Sequence, residues 1–287
     1  MGEARRIRVR DGLALNVVTY PAASPTGARP VVCLPGLTRN GRDFTEIATA
    51  LARGTAGPAR TVHTIDFRGR GGSEWDKDWR NYTVPTEAQD VLDVFAALDL
   101  DAPAIIGTSR GGLVAMVMAA LQPGAVGPVV LNDVGPVIDP VGLSRIAGYV
   151  GRTATPPTWD EATAVVAAVS RRAFPAVPED RWAAVARQLF NDKDGKPAPA
   201  YDPALGRTLS VKDGPPPNLW PQFLALGPRP VLVVRGALSD ILGADTRDEM
   251  VRRLPNCRAL TVEGEGHAPL LMDAPTIGAI GEFLAAA

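Results

Sequence analysis

The chain is 287 residues long, 46% hydrophobic, and carries a formal net charge of -1. That length can bury one large core with room for an insertion, and the near-neutral balance without a basic block speaks against nucleic acid or an anionic membrane as a partner. Residues 1–10 are charged with no apolar signal core, and no stretch approaches about 18 uninterrupted apolar residues, so neither a secretory signal nor a membrane span is expected and a cytoplasmic location fits.

Residues 6–10 and 13–20 alternate around Asp11-Gly12, a hairpin signal. A loop over 21–29 leads to an apolar strand over 30–34, a helix over 43–53 and a strand over 60–67. A helix over 86–98 places Val91, Leu92, Phe95 and Leu98 on one face. Apolar strands over 102–106 and 126–132 follow, with an apolar helical run over 113–121 between them. Strands that are apolar throughout and alternate with helices indicate a parallel sheet covered on both faces.

The alternation stops after about residue 135. Helical patterns cover 142–152, 159–174 and 179–190, then a polar stretch rich in Pro and Gly runs from 191 to 217, and nothing there reads as a buried strand. The proline-rich residues 214–221 read as a return linker. The sheet resumes at 230–235, followed by a helix over 246–253, a strand over 257–262 and a helix over 276–286. The expected organisation is an α/β core, 1–135 and 228–287, interrupted by a mainly helical insert, 136–227.

Residues 107–111 read Gly-Thr-Ser-Arg-Gly, between an apolar strand and an apolar helix. In that context the motif is a sharp turn that pushes the Ser109 hydroxyl outward. The Arg110 N–H at the helix start can donate to a developing oxyanion. An activated serine needs a base, and the base an orienting acid. Of the two histidines, His63 lies inside a strand and reads as structural. His267, in Gly-Glu-Gly-His, follows the last strand and is the candidate base. Asp240 follows the strand over 230–235 and is the favoured acid; Asp133, directly after the strand ending at Asn132, is its rival. Gly36 opens the loop after the first parallel strand, where the Leu37 N–H would supply the second oxyanion donor. Cys33 and Cys257 have no metal-ligand spacing and read as buried free thiols.

Four motifs occur in one order: Leu-Pro-Gly-Leu-Thr at 34–38, the segment 66–73, Gly-Thr-Ser-Arg-Gly-Gly at 107–112 and Gly-Glu-Gly-His at 264–267. Together they make the chain resemble an α/β-hydrolase-fold serine hydrolase with a helical cap, along nearly its whole length. The resemblance implies a mostly parallel eight-stranded sheet flanked by helices, with residues 136–227 as a lid. Pro35 departs from the histidine that many members carry there, but the contribution at that point is mainly backbone. Asp66 and Arg68 are expected to hold loops near the site. The implied reaction is acyl transfer to water through Ser109, His267 and Asp240, on a small to medium ester or lactone, with no cofactor and no metal. Serine at position 109, where dehalogenating and epoxide-opening relatives carry aspartate, argues against those two reactions.

Trp159, Trp182 and Trp220 are candidate lining residues of the substrate pocket, and Trp75 and Trp79 candidates for its entrance. Arg110 either salt-bridges the scaffold, the favoured reading, or binds an anionic substrate. The alternatives are a carbon–carbon bond hydrolase acting on a diketone-like substrate, for which a required Arg110 would speak, and a non-catalytic ligand-binding protein on the same fold. The sequence leaves a homodimer open.

Overall fold

The computed structural model describes residues 2–152, 154–209 and 218–287, so residues 214–217 of the expected linker lie outside the described residues. The chain opens with the hairpin β1 (Glu3–Arg8) and β2 (Ala14–Tyr20), paired antiparallel from Glu3↔Thr19 to Arg8↔Ala14. Then follow β3 (Val31–Leu34), α1 (Thr45–Arg53), β4 (Val62–Ile65), α2 (Val84–Ala97), β5 (Ala104–Thr108), α3 (Arg110–Leu121) and β6 (Val129–Asn132). After β6 come α4 (Pro140–Tyr149), α5 (Trp159–Ser170), α6 (Trp182–Leu189), a hairpin β7 (Phe190–Lys193) and β8 (Lys196–Pro199), and α7 (Trp220–Leu224). The core then resumes with β9 (Val231–Gly236), α8 (Ala244–Arg253), β10 (Cys257–Val262) and α9 (Ala274–Ala286).

Eight strands form one sheet in the order β1-β2-β4-β3-β5-β6-β9-β10. The pairs from β4 through β10 are parallel, and β1 and β2 join antiparallel at one edge. The central strands are buried along their length, which is why they read as continuous apolar runs. On one face Phe44, just before α1, packs with Ile47 and Leu51 of α1 and Ile280 and Phe283 of α9 against the sheet. The other face buries Val91 and Phe95 of α2, Val114 and Met118 of α3, Phe223 of α7 and Met250 of α8. Side-chain caps fix several helix starts: Thr83 for α2, Asp139 for α4, Thr158 for α5 and Asp273 for α9 each accept a backbone N–H of the first turn.

β4 lies on one side of β3 and β5 on the other. Strand order reverses there, and such reversals leave a crevice beyond the carboxyl ends of the strands. Ser109 follows β5 at that point.

Among the described residues no strand between β6 and β9 joins the main sheet. The β7–β8 hairpin lies in the polar stretch from residue 191, where no buried parallel strand is expected, and is antiparallel and mostly exposed or half-buried. Its two-residue turn, Asp194-Gly195, has φ of 54° and 77°, the geometry Asp-Gly favours between antiparallel strands. Helices α5 and α6 build a separate small core from Ala162, Val166, Trp182, Val185 and Ala186. Among the described residues no helix is long and apolar enough to cross a membrane.

Candidate active site

Ser109 occupies the corner between β5 and α3 with φ 50° and ψ -111°, a conformation that costs a side-chain-bearing residue about 1–3 kcal/mol. Glycines make the corner possible. A Cβ on Gly107 would stand 2.6 Å from the backbone of Gly111 and Gly112, and one on Gly111 would overlap the carbonyl oxygen of Leu34. The Ser109 N–H donates to the Asn132 carbonyl at 2.9 Å, so the end of β6 steadies the corner.

The Ser109 hydroxyl lies 2.9 Å from Nε2 of His267. His267 stands in the loop after β10, where Gly264 and Gly266 let residues 173 and 176 pack close: a Cβ on either glycine would crowd Ala176 or Ala173. On its other side, Nδ1 of His267 lies 2.8 Å from Oδ2 of Asp133, whose side chain is fully buried. Asp133 directly follows β6 and has φ 59°. Its Oδ1 accepts the Gly236 N–H at 2.9 Å, and its Oδ2 also accepts the Ser239 hydroxyl at 2.6 Å.

This arrangement corrects the expected acid. Asp240 is not beside His267 Nδ1; Arg145 of α4 holds its carboxylate through both oxygens, at 2.6 and 2.8 Å. Those charge-assisted bonds hold the Asp240 carboxyl below the usual range. The reason is the phase of the turn after β9, which directs Ser239 inward to Asp133 and Asp240 outward to α4. Both aspartates lie at carboxyl ends of parallel strands, and only the direction of the side chain separates them.

The profile of the alpha/beta hydrolase family matches residues 31–279, and the serine, histidine and buried aspartate stand where that fold concentrates its loops. The chain belongs to the alpha/beta hydrolase family. It is 35% identical over 272 residues to the 3-hydroxybutyrate-oligomer hydrolase of Cupriavidus necator, covering 92% of this chain and 90% of that one. It is 26% identical to esterase YbfF of Escherichia coli over 268 residues, 89% of this chain and 92% of the other. A solved alpha/beta hydrolase from Novosphingobium aromaticivorans superposes with a TM-score of 0.89 at 37% identity, covering 99% of this chain and 98% of that chain.

In this member of the alpha/beta hydrolase family Gly36 lies against Ser109: a Cβ there would be 3.9 Å from the Ser109 Cβ. Leu37 follows it, with its carbonyl accepting from Arg70 Nε at 2.8 Å. Arg110 heads α3, so its N–H belongs to a first turn without intrahelical acceptors. The Arg110 side chain takes the scaffold role, donating to Glu87 at 2.7 Å and to the Tyr82 carbonyl at 3.0 Å. Glu87 is fully buried and also pairs with Arg70 at 2.8 Å. Burial pushes its carboxyl up, but the two guanidiniums outweigh that and hold it below the usual range.

Asp66 and Arg68 hold loops, as expected. Asp66 accepts the N–H groups of Gly41 and Gly72 at 2.6 and 2.8 Å. Arg68 binds Asp90 through two bonds of 2.7 and 2.6 Å. His63 is buried in β4 against the Thr19 hydroxyl, 3.0 Å away. Cys33 and Cys257 are buried free thiols, their pKa values pushed up by burial.

The three expected lining tryptophans are packing residues in this structure. Trp182 is buried in the α5–α6 core. Trp159 packs on that core beneath the Arg187 guanidinium, 3.6 Å from its ring centroid. Trp220 meets Phe223 edge-to-face at 5.6 Å and is covered by Arg253. Trp79 stacks with Arg80 and Arg207 and joins Leu37, Tyr82, Ile146, Val150 and Leu205 in a cluster beside the 35–40 loop; Trp75 is half-exposed. The segment between β6 and β9 grips the core at several points. Asn40 and Arg42 donate to carbonyls of residues 187, 188 and 190, Arg181 pairs with Glu46, and Leu270 and Met272 pack on the α5–α6 cluster. Among the described residues no three His, Cys, Asp or Glu side chains gather as a metal-ligand set. Ser239 is the site residue that sequence reasoning passed over; its signal was only its place in the turn after β9.

Proposed function

We propose that the protein is a serine hydrolase that cleaves a small to medium carboxylic ester or lactone through an acyl-enzyme. The observation that carries this reading is the unbroken row from the Ser109 hydroxyl to His267 Nε2, 2.9 Å, and from His267 Nδ1 to the buried Asp133, 2.8 Å. His267 takes the hydroxyl proton as Ser109 attacks the ester carbonyl. The N–H groups of Leu37 and Arg110 receive the oxyanion. The imidazolium, steadied by Asp133, protonates the leaving alcohol, and water then releases the acid by the same steps in reverse.

Residues 136–227 act as a lid over Ser109 and make the pocket selective for compact substrates. Support for that role comes from the contacts of α5 and α6 with the 264–272 loop around His267. The 35% identical relative named a 3-hydroxybutyrate-oligomer hydrolase favours short esters of hydroxy acids over long lipid chains. Arg110, the cation next to Ser109 in the chain, is committed to Glu87 and Tyr82, so it does not favour the diketone alternative.

The test is turnover of chromogenic short-chain esters, 3-hydroxybutyrate dimer and trimer, a lactone and a diketone, with wild type beside Ser109→Ala. Serine-dependent cleavage of the esters or oligomers is expected. Serine-dependent cleavage of the diketone alone would overturn the ester reading.

A further inference from the structure

We propose that a cleft at the amino ends of the central strands binds a small oxyanion, held by Arg60 and Arg29. The inference is independent of the serine hydrolase reading. The cleft has a volume of about 400 Å³, and Arg29, Pro58, Arg60, Ala104, Pro128 and Leu284 are among its walls. Ala104 is the first residue of β5, and Pro128 directly precedes β6. Ser109 stands beyond the other end of β5, so the cleft and the triad lie on opposite ends of the sheet.

Arg60, Arg68 and Arg70 are the buried arginines of the fold, 3%, 1% and 0% exposed. Arg68 rests on Asp90 and Arg70 on Glu87. Arg60 has no such partner. Its guanidinium donates to two neutral carbonyls, of Arg29 and Leu284, at 3.3 Å each, longer than the roughly 2.7–2.9 Å of a charge-assisted bond. Its Nε has no partner. The carbonyl end of α9 supplies about half a negative charge at most. Among the described residues no Asp or Glu lines the cleft. Ala287 lines it too, yet burial alone pushes the Arg60 pKa down, with no carboxylate near enough to offset it.

An arginine keeps its charge even when buried, so the cleft holds a cation without a counter-charge. Arg29 brings a second, tethered to the Ala102 carbonyl at 2.5 Å. A small anion with two or more acceptor oxygens, a phosphate or a short carboxylate, matches the guanidinium fork and supplies the missing charge. Once bound, it ties the loop before β3, the start of β5 and the end of α9 together.

The experiment follows thermal unfolding and isothermal titration calorimetry with inorganic phosphate and, separately, acetate, each against sodium chloride of equal ionic strength. Wild type is compared with Arg60→Gln, Arg60→Lys and Arg29→Gln. Near ten times the dissociation constant, wild type should melt about 2–4 °C higher than in chloride, with one anion bound per chain. Arg60→Gln should lose that rise. Arg60→Lys, which keeps a charge but not the fork, should keep part of it, and Arg29→Gln should weaken binding by about tenfold. Turnover of p-nitrophenyl acetate should be unchanged in all three variants, which also reports that they fold.

A rise with either anion that Arg60→Gln removes supports the site, and the anion that produces it identifies the ligand as phosphate or carboxylate. No rise with either anion overturns the proposal, as does an equal rise in wild type and Arg60→Gln, which places the anion elsewhere. If Arg60→Gln does not fold, Arg29→Gln, an exposed position, carries the test: undiminished affinity refutes the site. Absence of ester turnover in wild type would sink the hydrolase reading and leave this one standing.

Discussion

Arg145 grips Asp240 by both carboxylate oxygens, one residue along the chain from the serine that touches Asp133. The pair joins α4 to the turn after β9, and both partners are more than a third exposed. Asp240→Asn therefore should cost at most about 1 kcal/mol of stability, the usual worth of an exposed ion pair, and leave kcat within a few-fold of wild type. Asp133→Asn should lower kcat by roughly 10³- to 10⁴-fold through loss of the orienting carboxylate. Steady-state kinetics with urea unfolding of both variants checks this; a more damaging Asp240→Asn at equal stability would refute the assignment.

Ser109→Ala should reduce turnover by at least about 10³-fold, since attack on the carbonyl has no other hydroxyl held on His267. The strained corner is built by Gly107, Gly111 and the Asn132 carbonyl rather than by the serine hydroxyl. The variant should accordingly keep the wild-type melting temperature. Labelling with a fluorophosphonate probe should mark wild type and leave Ser109→Ala unmarked.

Glu87 is a buried hub. Arg70, also buried, and Arg110 both rest on its carboxylate. Replacing it by alanine removes the carboxylate from the buried Arg70 and the largely buried Arg110, a change expected to cost about 3–5 kcal/mol. The urea midpoint of Glu87→Ala should fall accordingly, and an unchanged midpoint would show that the hub is dispensable. Because Arg110 also carries one of the proposed oxyanion N–H groups, Glu87→Gln should lower kcat even where it folds.

His63 links pH to stability. Burial, with a smaller contribution from Arg5, pushes its pKa down to about 4 from 6.5. The unfolded chain then binds a proton that the folded chain refuses, so stability is lost as the pH falls from about 6.5 towards 4. At pH 5 the loss relative to pH 7 is about 2 kcal/mol. Urea unfolding at the two pH values should show it, and His63→Gln should flatten the difference between them; an equal pH dependence in the variant would place the acid sensitivity elsewhere.

The sheet is legible in the sequence because its inner strands are apolar on both sides: Val31–Leu34 and Val129–Asn132 are buried at every position. The edge strand Glu3–Arg8 is expected three residues too late because its side chains are exposed at every position but Ile7, which leaves no alternation to fix a start. The hairpin β7–β8 goes unread for a related reason. It is polar, carries two prolines and buries little, and only Asp194-Gly195 marks it. Ser109 and His267 are legible through their glycine-rich surroundings, since close backbone approach constrains residue type. The acid is not, because two aspartates follow two parallel strands and a sequence shows which loop a side chain belongs to but not which way it turns. The packing of Trp182 and Trp220 is unreadable for the same reason: a large ring on a helix serves a small core as readily as a ligand.

Asp133 precedes the proposed lid in the chain, while Gly236, Ser239 and His267, which bind its carboxylate, all follow it. A cut anywhere in the lid therefore yields one fragment with the nucleophile and the acid and a second with the base and the groups that make the acid tolerable in the interior. Neither half carries a working site, and the first carries a charge it cannot comfortably enclose. On the proposed assignment, turnover restored on mixing the two pieces would report their reunion, the property required of a split reporter enzyme.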